Sequence, residues 1–329
     1  MNTLEIFFIV ILSVVVVAAV VYVVLPATMF RLLIVAGRKA ARLKPGSVIV
    51  GDVEWPFLEG GPPDGEVLLL VHGFGAEKDH WLPYARFFSK RFRVVIPDLP
   101  GFGESSRSLE LDYGVDSQAD RLDAFLDALG VSRCHVAGNS MGGYILLMLA
   151  LRKPGRLLSM TLLNAAGVRG PNKSALDEAV ERGENLLQIK SPEDLDRLLT
   201  LVMEKSPWIP ARFKRVIADR AVADLDFLDL LFHQLARQLR ASPLNDELAA
   251  IPVPTFVVWG RHDRLVDVSC VGVLEECILG CESVIFDDIG HMPMVEAPAR
   301  SARYHLEFLD RLKSRAYDFI EIQQRRVKL

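Results

Sequence analysis

Six short, largely apolar runs limit most strongly what this chain can become: Val67–Val71, Arg93–Ile96, Cys134–Ala137, Met160–Leu163, Thr255–Trp259 and Ser283–Phe286. Each is too short to form a packed helix. None alternates apolar with polar residues, as a strand with one wet face must. Strands that are apolar on both faces belong in the middle of a parallel sheet covered by helices. Helical patterns fall between several of the runs, most clearly where Leu122, Phe125, Leu126 and Leu129 share a face behind Ser117 and Asp120, read as a capping box. The predicted class is therefore α/β, a mostly parallel central sheet with helices on both faces. Val48–Val50 and Trp55–Phe57 read as an added hairpin, with Pro56 arguing for an edge position.

The alternation stops between Gly167 and Ala250. Helical stripes take over there, such as Leu195, Leu198, Leu199 and Val202 with Met203, or Leu228, Leu231, Phe232 and Leu235. An all-helical insertion into a parallel sheet predicts a cap over a site, although helices packed into the core would show the same stripes. The expected division is a core of residues 48–166 and 251–329 with a helical cap at 167–250.

From Ile6 to Leu25 no residue is charged, and these 20 residues would span roughly 30 Å as a helix, the thickness of a bilayer's hydrocarbon core. The mean hydropathy of +0.24 comes almost entirely from this run. A cleaved signal peptide is the rival reading. No Lys or Arg precedes the run, it is longer than a signal's apolar region, and no small-residue cleavage site follows Leu25. Residues 1–27 are expected to be a single-pass membrane anchor and 28–47 a basic juxtamembrane linker. Arg31, Arg38, Lys39, Arg42 and Lys44 follow the run, so the positive-inside bias predicts a cytoplasmic main domain. Met29, Phe30, Leu32, Leu33, Ile34 and Val35, set among these cations, could instead lie as a short helix in the membrane interface.

Outside the apolar run the composition is that of an ordinary soluble protein. With 38 basic against 42 acidic side chains and a net charge of -4, neither a disordered chain nor a nucleic-acid binder is indicated. Cys134, Cys270, Cys277 and Cys281 lack metal-site spacing with nearby histidines and are expected to be reduced packing residues.

Gly138-Asn139-Ser140-Met141-Gly142 lies between a predicted strand and a predicted helix, the context in which G-x-S-x-G forms a sharp turn that lifts a nucleophilic serine above the sheet. A serine hydroxyl is a weak nucleophile without a base to take its proton. His291 follows the last predicted strand and is the expected base, with His262 and His72 competing. The base needs an acid to fix its tautomer. Asp263 ends the strand Thr255–Trp259 and is expected in that role, with Asp267 as runner-up. Backbone N–H groups of Met141, after the serine, and of Phe74, in His72-Gly73-Phe74-Gly75, are the expected oxyanion donors.

These residues, with Asp98-Leu99-Pro100-Gly101-Phe102-Gly103-Glu104-Ser105, resemble the α/β-hydrolase superfamily over roughly Val48 to Leu312. With the apolar helix, its basic flank and Lys78-Asp79-His80-Trp81-Leu82, the chain looks most like membrane-anchored monoacylglycerol lipases and related bacterial lipases. The resemblance implies a serine ester hydrolase acting on acylglycerols or similar lipid esters, with no cofactor or metal, and Asp98 and Ser105 shaping a loop. Met203, Trp208, Phe213, Phe227 and Phe232 are expected in an acyl-binding wall. The elbow also resembles that of hydrolases cleaving carbon–carbon bonds in ring-fission products. A tethered, non-catalytic binding protein is the reading from a different class.

Overall fold

In a computed structural model, which describes residues 2–241 and 243–327 with side chains as far as Ser314, the expected sheet has eight strands. They are β1 (Lys44–Val50), β2 (Val53–Gly60), β3 (Val67–Val71), β4 (Arg93–Pro97), β5 (Cys134–Asn139), β6 (Leu157–Leu163), β7 (Thr255–Gly260) and β8 (Glu282–Phe286), in the order β1-β2-β4-β3-β5-β6-β7-β8. Every pair from β4 to β8 is parallel, while β1 and β2 form an antiparallel hairpin at one side. Two-sided burial explains the uniform apolar runs. Val67, Leu69 and Val71 of β3 face one core, and Leu68 and Leu70 face the other.

Helices cover both faces. α1 (Thr3–Val24) and α2 (Pro26–Ala40) precede the sheet, α3 (Leu82–Ala85) follows β3, and α4 (Val115–Ala128) and α5 (Met141–Arg152) flank β5. α6 (Ala175–Glu181), α7 (Pro192–Val202), α8 (Ala211–Ala223) and α9 (Leu225–Ala241) lie between β6 and β7, where the strand pattern lapsed. α10 (Cys270–Cys277), α11 (Pro293–Glu296) and α12 (Pro298–Val327) complete the described chain.

Two local expectations need correction. Pro56 lies in β2, which is flanked by β1 and β4 and is therefore not an edge strand. The proline is tolerated because β4 pairing begins only at Phe57↔Pro97. Pro56 itself uses its carbonyl to accept from Asp98 N–H at 2.8 Å, where the ladder has already run out. The expected capping box is also absent: α4 starts at Val115 after Gly114, so Ser117 is inside the helix, bonded to Asp112.

Residues 28–47 hold most of α2 and the start of β1 rather than an extended linker. α2 is pinned to the body. Arg38 donates from Nε and Nη2 to the Asp79 carboxylate at 2.7 and 2.5 Å, and Phe30 meets Phe213 of α8 with ring centroids 5.6 Å apart. The preceding α1 is long and apolar enough to cross a membrane, and none of its residues is buried.

Candidate active site

The parallel strands deliver β3, β5, β7 and β8 to one edge of the sheet, so the segments after them converge there. Ser140 stands between β5 and α5, at the N-cap position, with φ 55° and ψ -122°, a left-handed conformation that a residue with a side chain adopts only under strain. The flanking glycines are required by space. A Cβ at Gly142 would lie 2.3 Å from the Val71 carbonyl oxygen, and one at Gly138 would lie 2.7 Å from the backbone of Gly142 and Gly143. Backbone bonds lock the turn: Ser140 N–H donates to Leu163 O at 3.2 Å, and Ser140 O accepts from Ala166 N–H at 3.0 Å.

Asp263 and His291 arrive from the neighbouring strands and meet. The His291 ring is bonded through Nδ1 to Asp263 Oδ2 at 2.8 Å, which leaves Nε2 as the unengaged ring nitrogen. Both side chains are nearly inaccessible to water. Asp263 also accepts from Leu265 N–H at 2.8 Å, from Val266 N–H at 3.0 Å and from Asn164 Nδ2 at 2.6 Å. Such bonds to a buried carboxylate keep it oriented and offset the cost of its desolvation. Ser140 and His291 line the same cavity.

The competing residues are engaged elsewhere. His72 is fully buried. Leu99 N–H donates to its Nε2 at 3.0 Å, so Nδ1 carries the proton and donates to Gly73 O at 2.8 Å. Burial holds its pKa down to about 4, so it stays neutral and acts as a splint for the Gly73–Gly75 turn. His262 is exposed, and Asp267 accepts from Ser269 N–H at 2.9 Å ahead of α10. The splinted turn stands directly against the elbow, since a Cβ on Gly73 would lie 3.0 Å from Ser140 Cβ. Phe74 follows in that turn. Met141 opens α5, where an N–H has no acceptor within the helix.

Asp98 shapes its loop as expected. It accepts from Lys78 N–H at 2.7 Å, Lys78 Nζ at 2.5 Å and Glu104 N–H at 2.8 Å, while Ser105 Oγ donates to Glu54 O at 2.7 Å. Lys78 and Asp98 are a buried ion pair, and the Lys78 pKa is raised by its two carboxylate partners against the opposing effect of burial.

Asn139, inside the serine turn, and Glu296, which belongs to no motif, complete the site. Asn139 Nδ2 donates to Leu163 O at 2.9 Å and to His291 O at 3.0 Å, tying the elbow to the histidine loop. Glu296 Oε1 accepts from Gly290 N–H at 3.0 Å and Met292 N–H at 3.3 Å, on both sides of His291. Its Oε2 accepts from Glu204 N–H at 2.8 Å and Lys205 N–H at 3.1 Å, just past the end of α7, and His291 N–H donates to Val202 O at 2.8 Å. The histidine loop and the end of α7 are thus one hydrogen-bonded unit.

The cavity has a volume of about 450 Å³. Of the five residues expected in its wall, only Met203 lines it. Phe213 packs on Tyr22 and Phe30, Phe227 on Tyr113, and Phe232 on Phe74, all outside the lining, while Trp208 is 86% exposed. The wall comes instead from Leu198, Leu199 and Val202 of α7, Ile217 of α8, Leu225 and Leu228 of α9, and Phe30 and Ile34 of α2. Arg107 and Arg220 also line it, held to Asp224 at 3.1 Å and Glu77 at 3.3 Å.

Comparison with known proteins agrees with this architecture. Residues 66–298 match the model of a family described as alpha/beta hydrolase fold. The chain is 34% identical to Lipase 1 of Psychrobacter immobilis over 77% of its own length and 79% of that lipase. It is 30% identical to monoacylglycerol lipase abhd6-A of Xenopus laevis over 88% and 89% of the two chains. A crystal structure of a membrane phospholipase A, described as a bacterial virulence factor, is 42% identical and superposes with a TM-score of 0.85, covering 94% of this chain and 99% of that one.

Proposed function

The chain belongs to the α/β-hydrolase fold family as a carboxylic ester hydrolase of the lipase type, and on that premise we propose that it cleaves lipid esters taken from a bilayer, with Ser140, His291 and Asp263 as its catalytic triad. The observation that carries the substrate class is the cavity wall. Phe30 and Ile34 come from α2, which continues from α1 after a single residue, so the acyl-binding surface and the candidate anchor are adjoining pieces of chain. Tethering raises the local concentration of substrates dissolved in the same membrane, as a linker does for a second binding event. In this reading α6–α9 act as the cap and α1 is a single-pass anchor. Arg31, Lys39, Arg42 and Lys44 support a cytoplasmic body.

Ser140 Oγ attacks the ester carbonyl as His291 Nε2 takes its proton. Asp263 holds the ring and stabilises the imidazolium. The Met141 and Phe74 N–H groups receive the oxyanion. His291 then protonates the departing alcohol, and a water activated by the same ring hydrolyses the acyl-enzyme. Ring-fission hydrolases use a similar elbow, but a wall built partly by α2 favours a long acyl chain over a compact soluble dienoate. Arg107 and Arg220 favour extending the substrate class from monoacylglycerols to glycerophospholipids, since each could exchange its carboxylate partner for a phosphate.

The test is a turnover panel of monoacylglycerols, a lysophospholipid, a diacyl phospholipid, short p-nitrophenyl esters and one ring-fission dienoate. Turnover of the glycerolipids supports the reading, and rapid turnover of the dienoate alone overturns it.

A further inference from the structure

Trp208 differs from the other tryptophans. Trp55, Trp81 and Trp259 are fully buried, whereas Trp208 is 86% exposed. An indole left in water is unusual for a side chain that gains so much by burial, and it calls for a partner with an apolar body and a polar edge. Pro207 and Ile209 on either side line the cavity, so Trp208 sits outside on its rim.

The position of that rim follows from α8. Arg212, in the first turn of α8, donates from Nη1 to Val23 O at 2.8 Å and stands 6.0 Å over the Tyr22 ring, while Phe213 meets Tyr22 at 5.3 Å. Tyr22 and Val23 belong to the last turn of α1. Two turns further along α8, Arg220 pairs with Glu77 beside the Gly73–Gly75 turn. α8 therefore runs from the end of α1 toward the active site. Trp208 precedes it and lies on the α1 side. Leu32, Leu33 and Val35 of α2, which starts where α1 ends, are also about half exposed.

We propose that the segment Glu204–Pro210 is a second membrane contact, with Trp208 seated at the headgroup level of the bilayer that α1 enters. The indole suits that depth because its ring prefers the hydrocarbon boundary while its N–H stays hydrated. The contact brings the cavity lip formed by Pro207 and Ile209 against the lipid, so an acyl chain enters without crossing water. The inference rests on the reading of α1 as an anchor.

The experiment uses the full-length protein reconstituted in phosphatidylcholine–phosphatidylglycerol vesicles, with flotation to establish insertion and tryptophan fluorescence to report depth. Brominated phosphatidylcholine should quench a blue-shifted component that Trp208→Ser abolishes, since the three buried indoles are shielded. The same variant should hydrolyse vesicle-borne lipid ester about fivefold more slowly and a soluble p-nitrophenyl ester at the wild-type rate. Protein that floats with the vesicles but shows no bromolipid quenching beyond that of the Ser variant overturns the contact and leaves the anchor standing. Protein that fails to float overturns both.

Discussion

Asn164 donates its side-chain amide to Asp263 Oδ2 at 2.6 Å, and the same oxygen is bonded to the His291 ring at 2.8 Å. Asn164 is itself held at φ 47° at the end of β6, with Oδ1 accepting from Gly260 N–H at 3.3 Å. A hydrogen bond to a charged group is worth about 1.5–3 kcal/mol. Asn164→Ala should therefore lower kcat by about 10- to 100-fold with little change in KM for a soluble ester. Asn164→Asp should do worse, because it sets a second carboxylate against Asp263. Steady-state kinetics on a p-nitrophenyl ester give the comparison.

Glu296 acts at the opposite side of the histidine. Removing its carboxylate from Gly290, Met292, Glu204 and Lys205 frees four backbone donors and unfastens the His291 loop from α7. Glu296→Ala should cost roughly tenfold or more in kcat, at about 1.4 kcal/mol per tenfold. In a His291→Ala background it should cost almost nothing further, because residues acting as a unit are non-additive. A full additional loss in the double variant would show that Glu296 acts independently of the histidine.

The unequal legibility of the site has physical causes. The convergence of Ser140, Asp263 and His291 at one sheet edge was legible because each sits just past a strand with a recognisable apolar run, and parallel strands bring their ends together. Asn164 and Glu296 carry no such signal. Asn164 reaches Asp263 across 99 residues, and Glu296 reaches Glu204 across 92 as well as its neighbours Gly290 and Met292; an isolated polar residue looks the same in sequence whether it holds a site residue or faces water. The expected acyl-binding wall failed for a related reason. A helical stripe shows which residues are apolar but not which of two apolar neighbours it meets, so Phe227 packs on Tyr113 while Leu228, one position on, lines the cavity. Phe30 and Ile34 were visible as apolar residues among cations, but the docking of α2 depends on Arg38 finding Asp79 in the fold.

The α2 wall predicts a chain-length effect. Phe30→Ala and Ile34→Ala each remove several carbon atoms from the lining, at about 0.8 kcal/mol per buried methylene. The double variant should lose about tenfold or more in kcat/KM on a long-chain monoacylglycerol and much less on a butyryl ester. Equal losses on both substrates would remove α2 from the acyl site.

Acid should unfold the protein through its buried histidines. Burial lowers the pKa of His72 and His135 to about 4 and that of His305 to about 3, against 6.5 in the unfolded chain. Above pH 6.5 neither state binds these protons, so they contribute no slope. As pH falls below 6.5 the unfolded state takes up protons that the folded state refuses, and stability falls until the folded values are reached. Three such groups give at most about 4 kcal/mol per pH unit. Urea unfolding between pH 7 and pH 4.5 should show this decline, and His135→Asn should reduce its slope by about a third.

The central claim is that Ser140 is the nucleophile of a lipid ester hydrolase. Its most direct test is reaction of the purified full-length protein with a fluorophosphonate probe, followed by peptide mapping. One adduct on the Ser140 peptide is expected, protected by monoacylglycerol and absent from Ser140→Ala together with all ester turnover. Undiminished labelling of that variant, or an adduct mapped to another residue, would contradict the account.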